Sequence, residues 1–127
     1  MFKVQLTDEV HASHHLPEKG LASTSCAKVH GHTYHVLIEV SARSLNEFGM
    51  VIDLGLLKGV LRQFDHEDLN KFMRPSTTEH FAALVAQRVE ETLAQLGYQW
   101  GDGGHKPWVS LVEIAETSHN KIIWTPE

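Results

Sequence analysis

Histidine, a frequent metal ligand in proteins, is concentrated in two short segments of this chain, HASHHL at 11–16 and CAKVHGH at 26–32. If the second segment leads into an extended strand, His30 and His32 point to the same side, about 7 Å apart. Both imidazoles can then reach one zinc ion at about 2.0–2.1 Å. His35 has the opposite parity and is predicted not to join them.

The first segment must supply the third ligand, and it offers His11, His14 and His15 near the end of a predicted strand. Three histidines leave the fourth zinc position open, which is typical of catalytic and not of structural sites. Cys26, the only cysteine, lies in a polar loop beside the paired histidines, where a cation would favour its thiolate. The alternatives are a pair of surface histidines and an inert, buried cysteine.

Two further segments carry groups that can move or receive protons. Asp65 stands beside His66 in DHEDLN, where a carboxylate can orient an imidazole for proton transfer. A helix-end turn is the alternative interpretation of this pair. Glu116 shares a predicted strand face with apolar Val112 and Ile114, so its carboxylate needs a partner. That partner is either a ligand with N–H donors or a basic side chain.

Hydrophobic periodicity predicts the elements that position these residues. Alternation predicts strands over FKVQL, continuing toward His11, and over HTYHVLIEVSAR, followed later by WVSLVEIAE and KIIWT around a TSHN turn. Helical spacing predicts a first helix with Asp53 as N-cap. A capping box at 76–79 opens a second helix, with Ser76 capping the backbone at Glu79 and the Glu79 side chain reaching back.

The element order β-β-α-α-β-β predicts an α+β fold, a four-stranded antiparallel sheet with two helices on one face. The whole chain, 1–127, is expected to form a single domain. The last two strands carry apolar residues on both faces, so a second copy of the chain is expected to cover the free face.

Charge and composition narrow the class of protein. A net charge of −5 provides no overall basic field for nucleic acid or an anionic membrane. No apolar run reaches membrane-spanning length, and the acidic residues at 8 and 9 stand where a signal peptide has its apolar core. The single cysteine excludes an internal disulfide. We therefore expect a cytoplasmic protein.

Taken together, the segments resemble the 6-pyruvoyl-tetrahydropterin synthase superfamily, most closely the bacterial 6-carboxy-5,6,7,8-tetrahydropterin synthases of queuosine biosynthesis. Six motifs stand in the family's order from about residue 10 to 117: HASHHL, CAKVHGH, GMVIDLGLLK, DHEDLN, TTEHFA and ET. The resemblance implies the tunnelling fold, assembled as a homo-oligomeric barrel with active sites at subunit interfaces. It also implies a Zn²⁺ ion on His14, His30 and His32.

The resemblance further implies a lyase that acts on 7,8-dihydroneopterin triphosphate and releases acetaldehyde and triphosphate. Cys26 would be the base or proton carrier, and Asp65 and His66 its relay. Glu116 would anchor the pterin ring and join the proton transfer. Thr78 and Glu79 would be a second contact to the pterin. Candidates for a local basic patch near the phosphates are Lys19, Lys28 and Arg74.

Three alternatives remain at the level of sequence. One sister branch makes 6-pyruvoyl-tetrahydropterin and generally has a longer spacer between the cysteine and HGH. Another serves folate synthesis and uses a glutamate at or near the position of Cys26. A small zinc-binding module without activity would need only the three histidines. The loop at 97–107 matches no role in the family.

Overall fold

Five strands and two helices form the part of the chain that the structure describes. The structure is a computed structural model, and it describes residues 1–17, 24–97 and 105–127. In chain order the elements are β1 (Phe2–His14), β2 (His30–Ala42), α1 (Leu54–Arg62), β3 (Glu67–Asp68), α2 (Thr78–Gly97), β4 (Trp108–Thr117) and β5 (Asn120–Trp124). The sheet order is β3-β1-β2-β4-β5. The predicted α+β class is confirmed.

The sheet has one more strand than the four predicted. β3 is a two-residue bridge inside the DHEDLN segment, and it pairs with the end of β1 in parallel. Two residues are too few for a periodic pattern, so alternation could not reveal it. The other neighbouring strands pair antiparallel, as predicted.

Strict alternation along β1 and β2 places one side of the sheet against the helices. The two strands pair over their full length of 13 residues each. Their inward positions join residues of both helices in one apolar core, whose largest fully buried members include Tyr34, Ile38, Leu57, Phe64 and Phe81. At the far end of the same inward rows stand histidines. The core therefore continues directly into the candidate site.

Several predicted boundaries are confirmed. The Asp53 side chain accepts a hydrogen bond from the Gly55 N–H at 2.9 Å and caps α1. α2 ends at Gly97. β4 and β5 form the predicted hairpin, closed between Thr117 and Asn120. The segment at 98–104, most of the loop without an assigned role, lies outside the described residues.

The capping box predicted at 76–79 is wrong by one residue. The Thr77 hydroxyl accepts from the backbone N–H of His80 at 3.2 Å, so Thr77 caps the helix. The Ser76 hydroxyl instead lies within hydrogen-bond distance of two acceptors, the His15 carbonyl at 3.1 Å and Asn70 Oδ1 at 2.8 Å. Ser76 is fully buried. Because the Ser76 hydroxyl contacts His15 and Asn70, it is not available to cap the helix.

The sheet face opposite the helices is mixed in character. β4 and β5 turn Leu111 and Ile123 outward, and Ile123 is 53% exposed. The centre of the same face carries ionisable side chains, among them Glu9, His35 and Glu113. Coverage by a second copy stays a prediction. Among the described residues, no helix combines the length and apolar character needed to cross a membrane.

Glu39 is a buried carboxylate on that outward face. Only 6% of it is exposed. Its two oxygens accept from Ser110 Oγ at 2.6 Å and Gln5 Nε2 at 2.7 Å, and Lys3 Nζ lies 3.5 Å away. These contacts, the Ser110 hydrogen bond first, hold the pKa of Glu39 below its ordinary value. The ionised form therefore ties β1, β2 and β4 together.

We expect Glu39→Gln to lower the free energy of unfolding by about 1–2 kcal/mol, because an amide offers one acceptor oxygen where the carboxylate offers two. Because the folded pKa is depressed, the advantage of glutamate is present above its ordinary pKa and is lost as the pH falls through the folded pKa. Denaturant unfolding at several pH values measures both effects. Glu47→Gln, at an exposed position, is the control; an equal loss there would contradict the role of Glu39.

Candidate metal centre and active site

Three histidines converge where β1 ends and β2 begins. The antiparallel register places His14 directly opposite His30, and His32 follows two positions along the same face. The ring centroids lie 4.5 to 5.1 Å apart. One ligand atom from each residue lies within 4.8 Å of the other two, so the cluster could hold a metal ion. His14 is buried, with 2% exposed.

Backbone carbonyls orient two of these rings. His14 Nδ1 lies 2.7 Å from the carbonyl oxygen of Ser76, and His30 Nδ1 lies 2.6 Å from that of Lys28. A carbonyl oxygen only accepts, so each Nδ1 carries the proton and donates it. Each Nε2 therefore presents a lone pair to the centre of the cluster. Such outer hydrogen bonds are usual for metal-binding histidines.

The distance between those two nitrogens fits a shared metal ion. His14 Nε2 and His30 Nε2 are 3.0 Å apart. Two nitrogen ligands on a tetrahedral zinc ion stand about 3.3 Å apart, given the usual zinc–nitrogen bond length. Two lone pairs facing each other at this distance repel, and a cation between them removes the repulsion. The donor set thus fits a metal with three histidine ligands.

His32 links the cluster to Glu116. Burial lowers the pKa of His32, the Glu116 charge opposes that shift, and the neighbouring His14 and His30 add to it. His32 Nε2 and Glu116 Oε2 are 3.8 Å apart, too far for a hydrogen bond. The lowered pKa favours neutral imidazole, which is the form that binds metal.

The carboxylate of Glu116 lies on the helix-facing side of β4, as its parity with Val112 and Ile114 predicts. The Thr78 hydroxyl, in the first turn of α2, donates to Glu116 Oε1. A cavity of about 340 Å³ is lined by Thr78, Glu79 and Glu116 and reaches His14. A carboxylate held in such a cavity can receive N–H donors from a planar heterocycle.

Cys26 lies beside the three histidines in a short 3₁₀ turn between β1 and β2. Its carbonyl accepts from the Leu16 N–H at 2.8 Å, which ties this turn to the chain just after β1. A cavity of about 350 Å³ is lined by His14, Leu16, Cys26, His30, His32 and Glu116. Among the described residues, the cluster able to hold a metal consists of the histidines without the cysteine.

A family model described as 6-pyruvoyl tetrahydropterin synthase matches residues 3–127. The chain belongs to this family. The 6-carboxy-5,6,7,8-tetrahydropterin synthase of Bacillus subtilis is 28% identical over 137 aligned positions, covering 99% of this chain and 88% of that protein. A dihydroneopterin monophosphate aldolase of Pyrococcus furiosus is 36% identical over 70 positions, covering 52% of this chain and 60% of the aldolase.

A solved structure shares the fold. The 6-pyruvoyl tetrahydropterin synthase of Caenorhabditis elegans superposes with a TM-score of 0.67 at 22% identity, covering 99% of this chain and 96% of that one. The tunnelling fold implied by the motifs is therefore confirmed for one subunit. The barrel of several subunits is outside what a single chain displays and stays a prediction.

Asp65 and His66 are not brought next to Cys26 in this member of the family. Asp65 Oδ1 accepts from the backbone N–H of His11 at 2.8 Å, and that bond is the main reason its pKa lies below the ordinary value. The His66 ring stacks on His11, centroids 5.7 Å apart. His11 is on the outward face of β1, whereas the metal cluster is on the inward face. His66 is 78% exposed.

The other histidine and basic candidates lie at different distances from the cluster. His15 points away from the cluster, and its backbone N–H and carbonyl are both held by Asn70. His35 faces outward beside Glu9, as its parity predicts. Lys28 is exposed next to the cluster, Arg74 is exposed in the connector before α2, and Lys19 lies outside the described residues.

Sequence reasoning missed two contributions to the site. The carbonyls of Ser76 and Lys28 belong to the backbone, so no residue type announces them. Tyr34, inward on β2 two positions after His32, belongs to none of the motifs. Its parity with His30 and His32 was the available signal.

We expect His32→Ala to lose bound metal and Cys26→Ala to retain it, since three imidazoles and no thiolate converge in the cluster. Metal content after dialysis, and affinity by chelator competition, measure the difference. His35→Ala, on the same strand but the opposite face, is the control and keeps its metal. Metal loss from the cysteine variant would identify Cys26 as a ligand.

Proposed function

We propose that this protein is a zinc-dependent lyase that converts 7,8-dihydroneopterin triphosphate and one water molecule into 6-carboxy-5,6,7,8-tetrahydropterin, acetaldehyde and triphosphate. This reaction belongs to the 7-deazaguanine branch that leads to queuosine. One observation carries the proposal: Cys26, the three histidines and Glu116 line the same cavity. The Bacillus subtilis relative, matched over almost the whole chain, supports the choice of reaction.

Each residue of the cavity has a separate task in such a reaction. His14, His30 and His32 would hold the Zn²⁺ ion, which would supply Lewis-acid polarisation of the substrate's side-chain oxygens. Glu116, whose carboxylate accepts from the Thr78 hydroxyl, receives the N–H groups of the pterin ring. This contact orients the side chain of the pterin toward Cys26. Glu79, exposed at the rim of the adjoining cavity, is a second contact to the ring.

Cys26 is the group placed to move a proton at the substrate's side chain. Its thiolate is favoured beside a cation, and it lies close to the histidines without belonging to the ligand cluster. A positioned acid or base typically contributes about 10²–10⁴-fold to a rate. The Asp65–His66 pair can serve as its relay only across a subunit boundary, because within one chain the pair stands on the outward face.

A second reaction has a specific observation in its favour. Identity to the Pyrococcus furiosus aldolase is higher, 36%, although over about half of the chain. An aldolase of this class would cut the pterin side chain and leave a hydroxymethyl group. Cys26 argues against that outcome, because the resemblance to the family implies a glutamate at or near that position in the folate-type branch. The 6-pyruvoyl product is the other sister outcome.

We expect the zinc-loaded protein, supplied with 7,8-dihydroneopterin triphosphate, to form acetaldehyde and 6-carboxytetrahydropterin in equal amounts. Mass spectrometry of the pterin and an enzymatic acetaldehyde assay measure both products. Cys26→Ala is expected to lower kcat by about 10²–10⁴-fold while keeping zinc, and His35→Ala is expected to leave kcat unchanged. A pyruvoyl or hydroxymethyl product would move the protein to a sister branch, and no turnover would favour a binding module.

A mixing experiment tests the relay between subunits. His66 has a φ of 60°, so His66→Asn removes the imidazole while keeping a residue that tolerates the left-handed region. We expect Cys26→Ala and His66→Asn to be nearly inactive alone. Co-expressed subunits with one change each are expected to recover part of the activity, since mixed interfaces contain one intact set. Mixtures that stay inactive would contradict a shared site.

A further inference from the structure

Tyr34 is the largest polar side chain enclosed beneath the metal cluster. None of it is exposed. Its ring packs edge-on against Phe81 at 5.2 Å, His32 at 5.4 Å and His14 at 6.1 Å between centroids. Its hydroxyl has no hydrogen-bond partner among the described residues. A phenylalanine would fill the same space without leaving a buried donor unpaired.

In the sheet, Glu116 of β4 is the neighbour of Tyr34. Ala115 pairs with His35 across β2 and β4, so the next residue, Glu116, comes beside Tyr34 on the helix-facing side. The phenol of Tyr34 carries its proton at neutral pH, as tyrosine ordinarily does, so its hydroxyl can donate. A protonated phenol beside a carboxylate is a hydrogen-bond donor.

The Glu116 carboxylate has room for such a donor. Oε1 accepts from the Thr78 hydroxyl, and the His32 nitrogen near Oε2 is beyond hydrogen-bond distance at 3.8 Å. An ionised carboxylate has about four lone-pair sites, so Thr78 leaves most of them for other donors. Tyr34 and Glu116 lie on the same face of neighbouring strands.

We infer that Tyr34 is a positioning residue for Glu116, whose carboxylate its hydroxyl holds in place when the site receives a ligand with N–H donors. Two donors, Thr78 from α2 and Tyr34 from β2, would then fix the carboxylate from two sides and leave its remaining lone pairs for the ligand. The inference rests on the proposed function, because the ligand that it concerns is the pterin ring.

The test compares zinc-loaded parent and Tyr34→Phe proteins in binding 7,8-dihydroneopterin, which carries the pterin ring without phosphates. Calorimetry or pterin fluorescence measures affinity, and metal content and thermal unfolding are measured alongside. We expect about tenfold weaker binding, as for loss of a hydrogen bond to a charged group. Metal content is expected to stay the same, and the metal-free variant to melt no lower than the parent, because an unpaired hydroxyl has been removed.

A double-mutant cycle shows whether Tyr34 acts through Glu116. In a Glu116→Gln background, Tyr34→Phe is expected to change the affinity by less than about twofold, because coupled residues are not additive. Thr92→Val, which removes a hydroxyl bonded to the Arg88 carbonyl in α2, is the matched control and leaves binding unchanged.

Three results would overturn the inference. They are parent-like binding by Tyr34→Phe, the same tenfold loss in the Glu116→Gln background, and a variant that no longer folds, since the hydroxyl would then have a structural partner. A parent protein that binds no pterin would instead remove the proposed function, and the inference with it.

Discussion

The pairing register of β1 and β2 is the constraint on which the site depends. It sets His14 opposite His30 and keeps both, with His32, on the inward side of the sheet. A slip of one residue would turn His14 to the outward face and expose the apolar row that precedes it. The pairing of β1 with β2 that buries Val10 and Tyr34 therefore also sets the three histidines on one face. The core and the site depend on the same strand pairing.

The site in turn uses groups that the fold must supply anyway. The backbone carbonyls of Ser76 and Lys28 orient two imidazoles, and the first turn of α2 brings the Thr78 hydroxyl to Glu116. These donors and acceptors come from segments far apart in sequence, so their positions depend on the whole packed subunit. His14 Nε2 and His30 Nε2 stand 3.0 Å apart, and a cation between them would remove the repulsion of their lone pairs.

The alternation of side chains along the strands predicted most of the site residues' orientations. It correctly placed His35 outward and Glu116 inward. The apolar residues Val4, Leu6 and Val10 of β1 share the parity of His14 and not that of His15, so the alternation also favours His14. Local sequence patterns failed where contacts distant in sequence determine the structure. The Ser76 hydroxyl contacts His15 and Asn70 and does not cap α2. The two-residue β3 is too short to show a periodic pattern.

The predicted catalytic residues are divided between two faces of the sheet. Asp65 is held by the His11 backbone and His66 is turned outward at a φ of 60°, a conformation that places its ring on His11 and away from the cavity of Cys26. A histidine in the left-handed region is uncommon, and such backbone strain is found mainly at functional sites. The pair lies in the turn before β3, with Asp65 half-buried and His66 exposed, so the His66 ring is open to a neighbouring chain. The apolar side chains that β4 and β5 turn outward, Leu111 and Ile123, provide the surface on which such a neighbour can pack.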